Sequence, residues 1–180
     1  MKATGIVRRI DDLGRVVIPK EIRRTMRIRE GDPLEIYTDA DGEVIFKKYS
    51  PIGELSPFAT QYAEVLSRSS NLPVLVSDRD HIVAVSGISK KEFLERRVSP
   101  SLEELMENRK SYAMKMSDIK QIFPIEGINR GAGVIVPILA SGDVTGSVIL
   151  LLPENNTAPN ESDIKLVQVA SAFLGRQMEE

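Results

Sequence analysis

The first fifty residues are the part of this chain that most restricts how it can fold. They hold four predicted strands and one short helix, which is too little chain to bury a large apolar core alone. The sequence contains no cysteine, so neither a disulfide nor a thiolate-bound metal can stabilise the segment. Association with a second copy is the remaining remedy. We therefore expect residues 1–50 to form an obligate dimer, in which folding and dimerisation are one equilibrium.

Turn and β-branched residues predict the elements of this segment. Gly14 is placed for a turn with positive φ, and Pro19 ends a strand and suits the first turn of a helix. A second turn at 39–42 joins two strands into a hairpin. The predicted strands cover 4–10, 15–18, 34–38 and 43–47, and the predicted helix covers 20–29.

The charge of the chain is polarised. Residues 1–50 hold eleven Lys and Arg and nine acidic residues, a net charge of +2, whereas the whole chain carries −2. Arginines occur on three elements of the segment, and a dimer presents each of them twice. Such a surface suits phosphate backbones, and guanidinium groups can also read guanine edges. The alternative is a solvated helix face, on which Glu21 and Glu30 offset the arginines.

Residues 2–26, with the core Leu13-Gly-Arg-Val-Val-Ile-Pro19, and residues 34–49 resemble the N-terminal domain of the AbrB family of bacterial transition-state regulators. The resemblance implies a swapped-hairpin β-barrel formed by two interleaved chains. It also implies that this barrel recognises double-stranded DNA largely by the shape and bendability of the DNA. The family's DNA contacts carry over to four arginines, with a fifth as a secondary contact. They are Arg8, Arg15, Arg23 and Arg24, followed by Arg9.

The remaining chain predicts a second domain at 57–180, after a linker at 51–56. A helix at 58–70 either belongs to the domain core or also packs against a partner chain. Strands are predicted at 72–77, 82–86, 111–117, 133–139 and 144–152. Helices are predicted at 90–97, after a capping box at Ser101 and Glu104, and after a cap at 160–163. This order is typical of an α+β fold with an antiparallel sheet.

The second domain resembles a GAF domain, a small-molecule-sensing fold, and is also compatible with the related PAS fold. The whole layout is similar to that of sporulation regulators, which implies an activator or repressor of late sporulation genes. We expect this domain to sense a small effector, to join two dimers into a tetramer, or to do both. The sequence does not indicate which residues bind an effector.

No enzyme chemistry is evident. His81 is the only histidine and lies in a polar turn, so neither a catalytic triad nor a metal site is expected. The glycines of 127–133 precede a strand and do not open a helix, which argues against dinucleotide binding. They predict either a flexible loop or a rim over a ligand pocket. We expect no cofactor, no metal and no catalytic residue.

Two further expectations concern class and location. Swapped-hairpin folds also occur in antitoxins, but those usually end in a disordered tail, whereas this chain ends in a capped, periodic helix. No signal peptide is recognisable, and the apolar run at 148–152 is too short to cross a membrane. We therefore expect a cytoplasmic bacterial protein.

Overall fold

The computed structural model describes residues 4–115 and 121–179. The chain divides into two compact units, Met1–Tyr49 and Ser50–Glu180, which we call the N-terminal unit and the C-terminal unit. The boundary coincides with the change in charge and composition near Ser50.

The described part of the N-terminal unit, residues 4–49, contains one helix and one hairpin. Helix α1 covers Lys20–Thr25, and strands β1 (Leu34–Thr38) and β2 (Val44–Lys48) pair antiparallel. The carboxylate of Asp39 closes the hairpin turn by accepting hydrogen bonds from the backbone nitrogens of Asp41 (3.1 Å) and Glu43 (2.9 Å). The predicted hairpin is therefore confirmed.

Two other predictions for this unit differ from the structure. Residues 4–10 and 15–18 are not in strands, because a strand needs a hydrogen-bonded neighbour and none of residues 4–49 supplies one. Helix α1 ends at Thr25 and not near Arg29, because Arg27 takes a left-handed φ of 52°. Both segments without a hydrogen-bonded neighbour nevertheless have a composition that favours β-structure.

Residues 4–49 of a single copy form no apolar core. Among residues 4–49, Pro19 alone is buried, although large apolar side chains are frequent. Twelve of them are exposed: Ile6, Val7, Ile10, Leu13, Val16, Val17, Met26, Ile36, Tyr37, Val44, Phe46 and Tyr49. Soluble monomers do not leave most of their apolar side chains in water, so this unit lacks a covering surface.

The C-terminal unit begins with two helices. The segment predicted as a linker, 51–56, instead forms α2 (Pro51–Glu54) and the start of α3 (Ser56–Ser70). Ile52 is fully buried there, and the Ser50 hydroxyl caps α2 by accepting from the backbone nitrogen of Gly53 at 3.1 Å. This segment is therefore packed structure, and Pro51 and Pro57 occupy first-turn positions of helices.

The other elements form an antiparallel sheet with helices. They are β3 (Val74–Ser77), β4 (Ile82–Ser86), α4 (Lys90–Phe93), α5 (Pro100–Glu107), β5 (Tyr112–Ala113), β6 (Ala132–Ala140), β7 (Asp143–Leu151) and α6 (Glu161–Gln177). The strand order is β4-β3-β7-β6-β5. Val148 and Leu150 face a core formed with α3 and α6, whereas Ile149 and Leu151 face a second core formed with α5. The α+β prediction is confirmed, with the sheet buried on both faces.

Helix caps in this unit follow local side chains. Asn160 and Asp163 form the predicted capping box of α6. The cap of α5 is Ser99, whose hydroxyl accepts from Leu102, and not Ser101 as predicted. Helix α4 is shorter than the predicted 90–97, and part of the predicted strand 111–117 lies outside the described residues.

Candidate nucleic-acid interface

The turn at residues 11–15 positions the first candidate DNA contact. The Asp11 carboxylate accepts from the backbone nitrogens of Leu13 (3.0 Å) and Arg15 (2.8 Å), and its second oxygen accepts from Arg15 Nε at 2.8 Å. The backbone of Asp11 also donates to the carbonyl of Arg15 at 3.0 Å. Gly14 has a φ of +75°, as predicted, which glycine adopts without a steric penalty. The turn is thus closed by its own residues.

Asp11 is an electrostatic partner of Arg15 as well as a turn residue. The hydrogen bonds from the Arg15 backbone and then from its side chain lower the pKa of Asp11 below its ordinary value. The carboxylate is therefore ionised at neutral pH. The sequence predicts the turn at Gly14 but not the contact between Asp11 and Arg15, although an Asp that opens a glycine turn is the available signal.

Four other candidate arginines are free in a single copy. Arg23 and Arg24 lie in α1, whereas Arg8 and Arg9 lie in the extended segment before the turn. All four are exposed, and their side chains make no hydrogen bond or ion pair with the described residues. A cationic group that is solvated and unpaired can approach a phosphate without breaking an internal bond.

Other basic residues of the N-terminal unit have structural partners. Lys48 Nζ donates to the carbonyl of Arg27 at 2.9 Å and lies 3.6 Å from the carboxylate of Asp32, whose side chain is only 3% exposed. Lys47 lies 4.5 Å from the centre of the Tyr37 ring. The structure thus separates Lys47 and Lys48, which have partners within the unit, from the free arginines, a distinction that charge counting did not make.

The C-terminal unit presents two surface features. An open groove of about 570 Å³ is lined by residues of α2, α3, β4 and the segment after α4; its lining includes Gly53, Ser56, His81, Leu94 and Glu95. The described residues contain no group of three or more His, Cys, Asp and Glu placed to hold a metal. The glycine segment 127–133 contributes nothing to this groove; Ile128 packs against the second core.

The second feature is an apolar face shared by α3 and α6. The Phe173 ring lies 5.4 Å from the Tyr62 ring and 5.9 Å from the Phe58 ring, measured between centroids. Val65 and Val169 are 62% and 60% exposed. Leu66 is buried, so the predicted helix 58–70 belongs to the domain core, and its packing against a partner chain stays a prediction. The outer side of that helix nevertheless exposes Val65.

No helix among the described residues is both long and apolar enough to cross a membrane.

The surroundings of His81 give no support for a catalytic role. His81 is exposed, and its backbone nitrogen donates to Asp78.

Comparisons with known families agree with both parts of this description. Residues 54–179 match the family model described as stage V sporulation protein T C-terminal, transcription factor. Residues 7–53 match the model described as antidote-toxin recognition MazE, bacterial antitoxin. The AbrB resemblance is also confirmed: the transition state regulatory protein AbrB of Bacillus subtilis (strain 168) is 65% identical over 51 residues, 28% of this chain and 52% of that protein.

Two further comparisons cover more of the chain. The stage V sporulation protein T of Bacillus subtilis (strain 168) is 53% identical over 182 residues, covering 100% of both chains. The GAF domain of the Acinetobacter phosphoenolpyruvate-protein phosphotransferase covers 69% of this chain and 81% of its own, with a TM-score of 0.55 and 11% identity. The latter likeness concerns the fold alone, and it confirms the predicted GAF-like architecture.

Proposed function

Because the chain belongs to the stage V sporulation protein T family of transcription factors, we propose that two copies interleave their N-terminal units and hold operator DNA. The observation that carries this proposal is the combination of free arginines with a unit that has no core of its own. Twelve exposed apolar side chains need a partner surface. Segments 4–10 and 15–18, which have no hydrogen-bonded neighbour strand in one copy, can pair with strands of a second copy. The same association presents every arginine twice.

The proposed DNA contacts are Arg8, Arg15, Arg23 and Arg24, with Arg9 as a secondary contact. Their exposure supports this assignment, and the sequence resemblance to AbrB supports the kind of ligand. Since phosphate contacts carry no sequence information, specificity comes from base edges and from DNA shape.

Selection of bound duplexes from a random pool by the full chain tests this function. We expect enrichment of sites with two-fold symmetry and flexible steps, because a symmetric dimer repeats its contacts about an axis. A bound pool with the composition and symmetry of the starting pool would refute sequence-specific binding. If the full chain bound no duplex at all, the proposed DNA interface itself would be refuted.

We propose the control of late sporulation genes, by activation or repression, as the biological role in the cytoplasm of the forespore. It is supported by the full-length similarity to a protein named for sporulation. The antitoxin alternative is supported only by the model matched at residues 7–53. That match covers the proposed DNA-binding segment, whereas 54–179 match a transcription-factor model, so we favour the regulator.

For the C-terminal unit we propose that two DNA-binding dimers join into a tetramer through the α3–α6 face. The stacked Tyr62 and Phe173 rings and the exposed Val65 and Val169 support an association surface. Linking two dimers raises the affinity for paired sites through effective concentration. The open groove supports effector binding as a second role, and operator affinity measured with and without candidate metabolites separates the two roles.

Val169→Asp tests the tetramer. Val169 is 60% exposed in one copy, so the fold of the unit should survive, whereas a buried carboxylate in the association surface should be strongly unfavourable. We expect the mass measured by light scattering to fall from tetramer to dimer. Gln168→Asp, which adds the same charge at the adjacent exposed position, should leave the mass unchanged. A tetrameric V169D protein would contradict the proposal.

A further inference from the structure

We infer that Asp11 is a positioning residue for DNA binding, which acts by holding the guanidinium of Arg15 in place before DNA arrives. The inference rests on the proposed role of Arg15 as a DNA contact. It assigns a function to an acidic residue in a surface that otherwise attracts anions, where a carboxylate by itself opposes binding.

The geometry shows how a carboxylate can assist an arginine. Asp11 takes only the Nε–H of Arg15. A guanidinium has five N–H donors, so its Nη1 and Nη2 groups keep the outer edge with which arginine makes bidentate contacts to phosphate or guanine. The Arg15 side chain is 69% exposed, whereas that of Asp11 is 37% exposed. Asp11 therefore contacts the inner edge of the guanidinium and leaves its outer edge accessible.

The turn gives Asp11 a fixed position from which to act. Its other oxygen accepts the backbone nitrogens of Leu13 and Arg15, and its backbone pairs with Arg15 and Gly14. The carboxylate is thus held at both ends, by the backbone and by the guanidinium. A long side chain that is oriented in advance loses less conformational freedom on binding than a free one. Arg23 and Arg24 have no such partner among the described residues.

Asp11→Asn separates positioning from turn formation. Asparagine keeps a carbonyl oxygen to accept the two backbone nitrogens, but its amide nitrogen cannot accept from Arg15 Nε. Asp12→Asn is the matched control, because Asp12 is exposed, makes no hydrogen bond or ion pair with the described residues, and loses the same charge. Both variants make the DNA-binding surface more positive by one unit per copy.

The measurement is a double-mutant cycle on duplex DNA affinity with the full chain. We expect D12N to bind as well as wild type or more tightly, and D11N to bind about fivefold more weakly despite its extra positive charge. In an Arg15→Ala background, D11N and D12N should have the same effect, since Asp11 then has no guanidinium to orient. Unchanged circular dichroism and melting confirm that D11N is folded.

Three results would overturn the inference while leaving the DNA-binding function intact. The first is a D11N protein that binds as tightly as D12N. The second is a weakening by D11N that persists in the R15A background, which would make Asp11 a turn residue only. The third is an R15A protein that binds duplex DNA with wild-type affinity, while substitution of the α1 arginines still weakens binding. If no arginine substitution weakens binding, the proposed function itself fails.

Discussion

Residues 1–50 on their own are expected to unfold on dilution. Only Pro19 is buried among residues 4–49 of a single copy, so burial of the twelve exposed apolar side chains must come from a partner. Each such side chain contributes about 1.5–3 kcal/mol when fully buried, so losing the partner removes most of the driving force for folding. Far-UV circular dichroism of the isolated segment, measured from about 100 µM down to about 10 nM, should show a concentration-dependent transition.

Val17→Asp sharpens this experiment. Val17 is 71% exposed in a single copy, so a protein that folds as a monomer should tolerate the change. If a second copy covers Val17, the buried charge should abolish folding and dimerisation together. Thr38→Asp, at an exposed position of β1, should have little effect. A segment that stays folded as a monomer at the lowest concentration would refute the dimer.

Arg24→Ala is expected to weaken duplex DNA binding by about 100-fold. Each dimer loses two charge-assisted contacts of about 1.5 kcal/mol each, and about 3 kcal/mol corresponds to two orders of magnitude. The slope of log affinity against log salt should become shallower by about 1.8, since two phosphate contacts are removed. Fluorescence anisotropy at several salt concentrations measures both quantities.

Arg68→Ala provides the matched control. Arg68 is exposed at the end of α3, in the C-terminal unit, and its replacement removes the same charge from the chain. It should change neither the affinity nor the salt slope appreciably. An R24A protein that behaves like R68A would remove Arg24 from the interface. Arg23→Ala should behave like R24A if both α1 arginines contact phosphate.

Most of the C-terminal unit could be predicted from its sequence because its signals are local. The turn between β6 and β7 places Ser141 and Gly142 at φ of 49° and 85°, as a tight hairpin turn requires. Asn160 and Asp163 mark the start of α6. The linker prediction was wrong, because Pro51 and Pro57 lie in first turns of helices.

The N-terminal unit could be predicted only in part, because two of its four predicted strands need a pairing partner that residues 4–49 of one copy do not supply. The hairpin β1–β2 closes on itself and was found. Residues 4–10 and 15–18 have strand composition but no ladder, because local propensity cannot supply a neighbour. The arginines were predicted by resemblance, whereas their freedom and the contact between Asp11 and Arg15 required side-chain geometry.

The most direct test of the whole account replaces Arg8, Arg15, Arg23 and Arg24 together by alanine in the full chain. The variant should keep its fold and oligomeric state, because three of these side chains have no internal partner and Arg15 has only the exposed pair with Asp11. We predict that salt-dependent binding to duplex DNA disappears. Wild-type affinity with an unchanged salt slope would contradict the claim that these arginines hold the DNA.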